Sequence, residues 1–541
     1  MKKAKKLLAL TLAAVFTVSV AGCSKKEETV KTSEEGATLS FWTTMDGNTS
    51  VSLKSNSEML LYKELEKRTG VKVEFIHPIA GSTGSEAFLT MLTSKEMPDI
   101  MEYWWSNYDG GPDKAIEDEV ILSLNDYIKD YAPNYYDYME GEKGKANNYL
   151  YKLQATSEKG NYYGFNTLAI GDSRCFAGIC VRGDKLKEWG MEIPATIDEW
   201  TAVFAKAKDE GFEYPFTSNN DALTFKGGSH TFNTAFGVGK NFYLQGDKVV
   251  FAPFEEGFKE YLAQLNEWSR LGYIDPSYVT NDWAKLDGNL ANEISVAAFH
   301  YVSDMGNITT SVKDKIPGFE LVACPWPVAE KGQISEFQGV SAEAYDQALA
   351  IYAKSENIEE AIKWCDYIYS DEGNILHTFG VEGDTFEIVE IDGEKHYAYT
   401  DKITTPENSG VTSIAQAIYK YCLPANHPGL TQHPDYLASY YPLPLQKEAL
   451  ATWNAGVEGA RVHVLPQLAY TEEEAKEKTD ILEIAENALE VAISDIILGK
   501  ASVDTFDAAI EEAKANGYDR VIEINQAAYD RYMAKLDKIN K

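Results

Sequence analysis

Residues 57–76 read SEMLLYKELEKRTGVKVEFI. Apolar side chains recur at helical spacing through residue 68. Gly70 then offers the left-handed cap that commonly ends a helix, and VKVEFI alternates as a half-buried strand does. Upstream, Thr38-Leu-Ser-Phe-Trp42 reads as a first strand, followed by a polar stretch over 43–50. Downstream, 87–94 reads as a second helix, and Met97-Pro-Asp-Ile-Met101 opens a third strand. The order β-α-β-α-β predicts a parallel sheet covered by helices. Such sheets bind ligands beyond the carboxyl ends of their strands, which here carry Phe41-Trp42, Ile76-His77 and the run Met101–Trp105.

Elsewhere the signals are mainly helical. Thr196-Ile-Asp-Glu199 is a capping box, Asn357 is expected to cap a helix over 357–370, and Thr471-Glu-Glu-Glu474 opens a long helical stretch to Leu498. Ser502 is expected to cap a further helix ending at Gly517, so the last third is helix-rich.

The start of the chain has a different character. MKKAKK is basic, Leu7–Val20 is an uncharged apolar run of about 14 residues, and Val20-Ala-Gly-Cys23 follows. Spanning a bilayer takes about 20 apolar residues, so the run fits the core of a signal peptide. The small residues before the cysteine resemble a lipobox, which implies a diacylglyceryl group on Cys23. Residues 24–36, SKKEETVKTSEEG, bury nothing and read as a tether.

With 541 residues, the chain is too long for one core. Its formal charge of -34 argues against nucleic acid as a partner, and against an anionic ligand unless one lobe is locally basic. The 33 tyrosines and 10 tryptophans supply flat apolar faces with polar edges, which suit sugar rings and, nearly as well, peptides. The cysteines beyond Cys23, at 175, 180, 324, 365 and 422, have no disulfide, zinc or redox spacing and read as small buried hydrophobes. No metal-ligand motif, dinucleotide loop or hydrolase motif occurs, so neither cofactor nor metal is expected.

Several stretches, in order, resemble the extracellular solute-binding proteins, family 1, of carbohydrate ABC importers, in their long Gram-positive lipoprotein branch. They include LYKELEKRTGVKVEFIHP (61–78), MLTSKEMPDIM (91–101), RGDKLKEWGMEIPATIDEWTAVFAKAKDEG (182–211) and WCDYIYSDEGNILHTFGVEGDTFEI (364–388). The resemblance implies a periplasmic-binding-protein-like type II α/β fold, two lobes with a ligand cleft between them. Its expected division is a signal peptide over 1–22, a tether over 23–36, lobe 1 over 37–172, lobe 2 over 173–335, a return to lobe 1 over 336–378, and mainly lobe 2 with C-terminal helices over 379–541. It further implies a monomer on the outer face of the cell membrane, held by lipid on Cys23. Such a protein captures a carbohydrate and delivers it to permease subunits driven by a cytoplasmic ATPase, with no catalytic residue. A peptide-binding surface lipoprotein and a glycan-active surface enzyme are the competing readings. Glu293, where many relatives carry glycine, and the absence of paired tyrosines in 175–182 are departures that bear on ligand identity.

The candidate ligand-binding residues in the first lobe are Trp42, Asp46, Tyr103, Trp104 and Trp105. Adjacent strand residues face opposite ways, so at most one of Trp104 and Trp105 meets the cleft while the strand continues. In the second lobe they are Trp283, Tyr301, Asp304 and Trp326, the last in the stiff Cys-Pro-Trp-Pro stretch 324–327. Trp42 and Trp326 are expected to stack on one ligand from opposite lobes. For each tryptophan the opposing reading is core packing. Glu382, in Phe379-Gly-Val-Glu-Gly383, matches a family position at the cleft, and a turn role competes with it. Arg174 and Arg182 suit a sugar carboxylate, or an acidic side chain of the protein itself.

Overall fold

The computed structural model describes residues 37–78, 84–94, 97–171, 174–227 and 229–539. The expected signal peptide, the tether and Cys23 lie outside the described residues. No helix among those described is long and apolar enough to cross a membrane.

Strands β1 (Thr38–Trp42), β2 (Lys72–Ile76) and β3 (Ile100–Trp104) are joined by the helices Leu60–Thr69 and Gly84–Leu92. Both β2 and β3 lie parallel to β1, the arrangement the opening pattern predicts. Gly70 takes the left-handed conformation (φ 71°) and its N–H closes on Glu66, ending the first helix. The chain continues through β4 (Phe165–Ala169) and then leaves for a second sheet.

That sheet contains β5 (Ala177–Arg182) and β6 (Phe216–Thr217). After a hairpin of β7 (Phe242–Gln245) and β8 (Lys248–Phe251), it gains β9 (Ala297–Tyr301) and β10 (Leu321–Ala323). Its order is β10-β5-β9-β6. The chain then returns as β11 (Ala344–Ile351), forms the hairpin β12 (Phe386–Ile391) and β13 (Glu394–Tyr399), and adds β14 (Gly429–Thr431). The first sheet is therefore ordered β14-β4-β11-β3-β1-β2. β11 is antiparallel to both β3 and β4, because it enters from the end where the chain crosses back.

Each sheet has its own core, which is the physical basis for two lobes. Along β1, Phe41 joins one apolar cluster with Leu65, Trp364 and Tyr369, while Trp42 joins another on the opposite face with Phe88, Met101 and Trp105. Both faces of the first sheet are thus covered, as a parallel core requires. The second core gathers Trp200, Phe204, Phe232 and Trp268, closed by Leu489 and Ile493 of the helix Glu472–Ile497 and by Val521 of Tyr518–Ile539. The boxes at Thr196 and Thr471 form as expected.

Two expectations need correction. Phe379, Phe386, Tyr399, Ile418 and Tyr436 pack into the first core and β14 extends the first sheet, so 379–436 does not sit with the second lobe. Local helical pattern says nothing about which sheet a segment covers. Asn357 makes no side-chain cap; its amide reaches Asp99 instead. The cysteines at 175, 180, 324, 365 and 422 are free and buried.

Candidate functional site

Beyond β1, Asp46 accepts the Asn48 N–H at 2.7 Å and caps the short helix Gly47–Ser50. This loop is pinned from beneath by Glu102 of β3. Its buried carboxylate accepts from Thr43 Oγ1 and Gln347 Nε2, each at 2.7 Å, and lies 3.2 Å from His427 Nδ1. Burial would lower the His427 pKa, but the charge and hydrogen bond of Glu102, with Asp46 behind, outweigh it and raise the value.

Trp104 ends β3 with 43 % of its surface exposed, whereas Trp105 is fully buried and donates its indole N–H to the Ala348 carbonyl at 3.2 Å. The strand ends at Trp104 and the chain turns into a 3-10 helix at Trp105, which carries the second ring inward. Trp42 and Tyr103 are corrected to core residues. Tyr103 stacks on Phe88 at 3.7 Å, and Trp42 meets the same ring edge-on at 5.7 Å. They back the site rather than line it.

In the second lobe, Tyr301 ends β9 with 42 % exposure, and Trp283 opens the helix Trp283–Ala291. Their ring centroids are 5.0 Å apart, forming a continuous aromatic surface. Beneath them His300 is fully buried, with its ring nitrogens 3.3 Å from Asp287 and 3.4 Å from Asp304. Burial, with the neighbouring charges of Asp304 and Asp282, pushes Asp287 up to about 6 although His300 opposes it.

Trp326 is corrected to a core residue. Its indole N–H donates to the Trp453 carbonyl at 2.9 Å, while the Trp453 indole donates to Cys324 O at 3.1 Å. The prolines that stiffen this loop hold the ring inward. The expected Trp42–Trp326 pair therefore does not form the two walls of a cleft. The arginines also find partners within the protein. Arg174 is buried against Glu343 at 2.7 Å, and Arg182 is buried against Asp184 at 2.6 Å. Neither offers a free guanidinium to a ligand. Glu382 is exposed on the turn that opens the β12–β13 hairpin, where Gly383 N–H bonds Phe386 O, and it serves that turn.

Tyr440 was not among the candidates. It ends the helix Pro434–Tyr440, which packs on β13, and the chain then crosses to Pro444–Asn454 against β10. Its hydroxyl shares a hydrogen bond with Ser303. Burial pushes its pKa up to about 12, with the charges of Asp304 from one lobe and Asp46 from the other adding to the shift. The ring stacks on Tyr436 at 5.3 Å and abuts Tyr441 at 4.7 Å. The only sequence signal was Tyr440-Tyr-Pro-Leu-Pro444, a proline-stiffened aromatic pair resembling 324–327. Trp283, Tyr301 and Asp304 lie together on the second lobe, and the charges of Asp304 and Asp46 both act on Tyr440 at the crossing. Among the described residues no group of three or more His, Cys, Asp or Glu side chains is disposed to hold a metal ion.

The family model described as bacterial extracellular solute-binding protein matches residues 50–375. The fructooligosaccharide ABC transporter substrate-binding protein FusA of Streptococcus pneumoniae is 25% identical over 376 residues, 65% of this chain and 64% of that one. Lipoprotein LipO of Bacillus subtilis is 27% identical over 208 residues, 38% of this chain and 36% of that one. The matched stretch spans less than two thirds of either relative. The crystal structure of the alginate-binding protein AlgQ2 without calcium ion superposes with a TM-score of 0.73 at 20% identity, covering 92% of this chain and 99% of that chain. That likeness shows a shared two-lobed fold.

Proposed function

The chain belongs to the bacterial extracellular solute-binding proteins, and from that premise we propose that it is the lipid-anchored, carbohydrate-capturing subunit of an ABC importer. The observation that carries the ligand class is the Trp283–Tyr301 aromatic pair, with Tyr301 exposed at the end of β9 and Asp304 in the helical turn that follows. Indole and phenol faces suit the C–H faces of sugar rings, and Asp46 and Asp304 accept their hydroxyl protons. Ligand bound between lobes favours the closed arrangement only by the free energy it gains there, and permease subunits recognise that closed form. No reacting group is needed, and the ligand is released unchanged. FusA, by its name a fructooligosaccharide binder of an ABC transporter, supports this reading.

The test is calorimetric titration with a panel of di- to tetrasaccharides, alongside melting curves. At least one saccharide is expected to bind and raise the melting temperature by mass action. Trp283→Ala or Tyr301→Ala is expected to weaken that binding roughly tenfold, from the loss of about 1–3 kcal/mol of ring burial, with little change in melting of the free protein. Binding of peptides with no response to any saccharide would replace carbohydrate by peptide. Turnover of an oligosaccharide would make the protein an enzyme.

Anchoring is tested separately. Cys23→Ala is expected to appear in the medium or to remain unprocessed, since one thiol carries the lipid. Normal processing and wild-type membrane retention of this variant would remove the anchor from the proposal.

A further inference from the structure

Between the second lobe and the segment returning to the first lies a cavity of about 210 Å³. Its walls include His230, Lys240, Asn241, Phe337, Gln338 and His463, and no aspartate or glutamate among the described residues lines it. In a chain of net charge -34 that is a local exception.

The polar groups here are unevenly satisfied. Lys240 is buried and donates to the carbonyls of Asp221 at 2.7 Å and Ala222 at 2.8 Å, which uses two of its three N–H groups. His230 Nδ1 is 3.1 Å from the Asn233 side-chain amide nitrogen, which leaves Nε2–H as a donor. Gln338 is 3 % exposed, and its amide nitrogen is committed to the carbonyls of Ser335 and Ala455. That orientation leaves Oε1 buried with no partner, and Asn241 Oδ1 is in the same condition. Unpaired buried acceptors cost free energy unless a donor reaches them. The pocket therefore combines a cation and a neutral donor with two unsatisfied amide oxygens.

We propose that this pocket takes a carboxylate-bearing sugar residue, with its carboxylate on Lys240 and His230 and its hydroxyls on Gln338 and Asn241. The proposal rests on the carbohydrate reading above and names the sugar class. A uronic acid presents both halves of this complement on one ring. A free phosphate dianion fits less well, because it brings no hydroxyl to donate to the two amide oxygens. The ammonium gains most from such a partner, since burial pushes Lys240 down to about 7 despite the opposing charge of Asp221.

The experiment uses the full chain and matched saccharide pairs, each a terminal hexuronate and its neutral hexose parent, with the hexose phosphate as a third arm. Wild type is expected to prefer the uronate by about tenfold, the effect of one buried charge-assisted contact. Lys240→Met is expected to abolish that preference and keep affinity for the neutral parent. His230→Phe, which leaves the Lys240 contacts in place, is expected to reduce the preference on its own and covers the case in which Lys240→Met fails to fold. Equal or tighter binding of the neutral parent, preference for the phosphate, or full uronate preference in both variants overturns the proposal while the carbohydrate reading stands. Absence of any saccharide binding overturns both.

Discussion

Trp326→Ala is expected to cost about 3–5 kcal/mol of unfolding free energy and to leave the affinity of the folded fraction for its ligand unchanged. The ring is 4 % exposed, its indole N–H is bonded to the Trp453 carbonyl, and Trp453 in turn holds Cys324 O. Removing it opens a cavity against Met305, Leu321 and Trp453 and strands a carbonyl. Urea melts read the stability, and titration of the same preparation reads the binding. A stable variant with tenfold weaker binding would return Trp326 to the ligand and contradict the packing seen here.

Glu343→Gln is expected to be comparably damaging, about 3–5 kcal/mol, because it leaves a buried guanidinium without its counter-charge. Glu343 Oε2 pairs with Arg174 at 2.7 Å and Oε1 with Arg461 at 2.8 Å. These three residues come from three distant segments, of which those carrying Arg174 and Glu343 connect the two sheets. Gln432 at 3.0 Å from Arg174, and Asn454, which accepts the Arg174 backbone N–H at 2.9 Å, complete the knot. The double variant Glu343→Leu with Arg174→Met is expected to recover most of the loss, since an apolar pair of similar volume replaces a buried ion pair at little net cost. A loss below about 1 kcal/mol for the single change would mean that water reaches the pair and screens it.

Much of the first lobe is legible in 38–104. Helix and strand periods change at residues that also carry the caps, so β1, β2 and the C-terminal end of the helix between them can be placed to within a residue or two, whereas its start falls three residues later than the pattern suggests, at Leu60. The exclusions also came from composition, since the acidic balance and scattered cysteines do not depend on folding. The aromatic candidates fared unevenly. Trp104 and Trp105 were expected to face apart only while the strand continued, and the strand ends at Trp104; which one is exposed depends on Phe88 and Ala348 packing from elsewhere. Trp42 and Trp326 were chosen for their position at a strand end and on a stiff loop. Position along an element does not say whether a helix will cover that face.

The residues of the binding surface thus divide by range. Sequence alone determined the parallel opening sheet, the capped helix that begins after Thr471, the lipobox pattern and the chemical suitability of Trp283, Tyr301 and Asp304, because each depends on neighbours a few positions away, whereas Ser502 caps a 3-10 turn and the helix after it has no side-chain cap. Tertiary structure decided which sheet 379–436 covers, that Arg174 and Arg182 are spent on Glu343 and Asp184, and that the charges of Asp46 and Asp304 both act on Tyr440. It also brought Lys240 and Gln338 into one acid-free pocket. Those pairings are selected by burial and charge compensation between distant segments, a free-energy balance that no local period encodes.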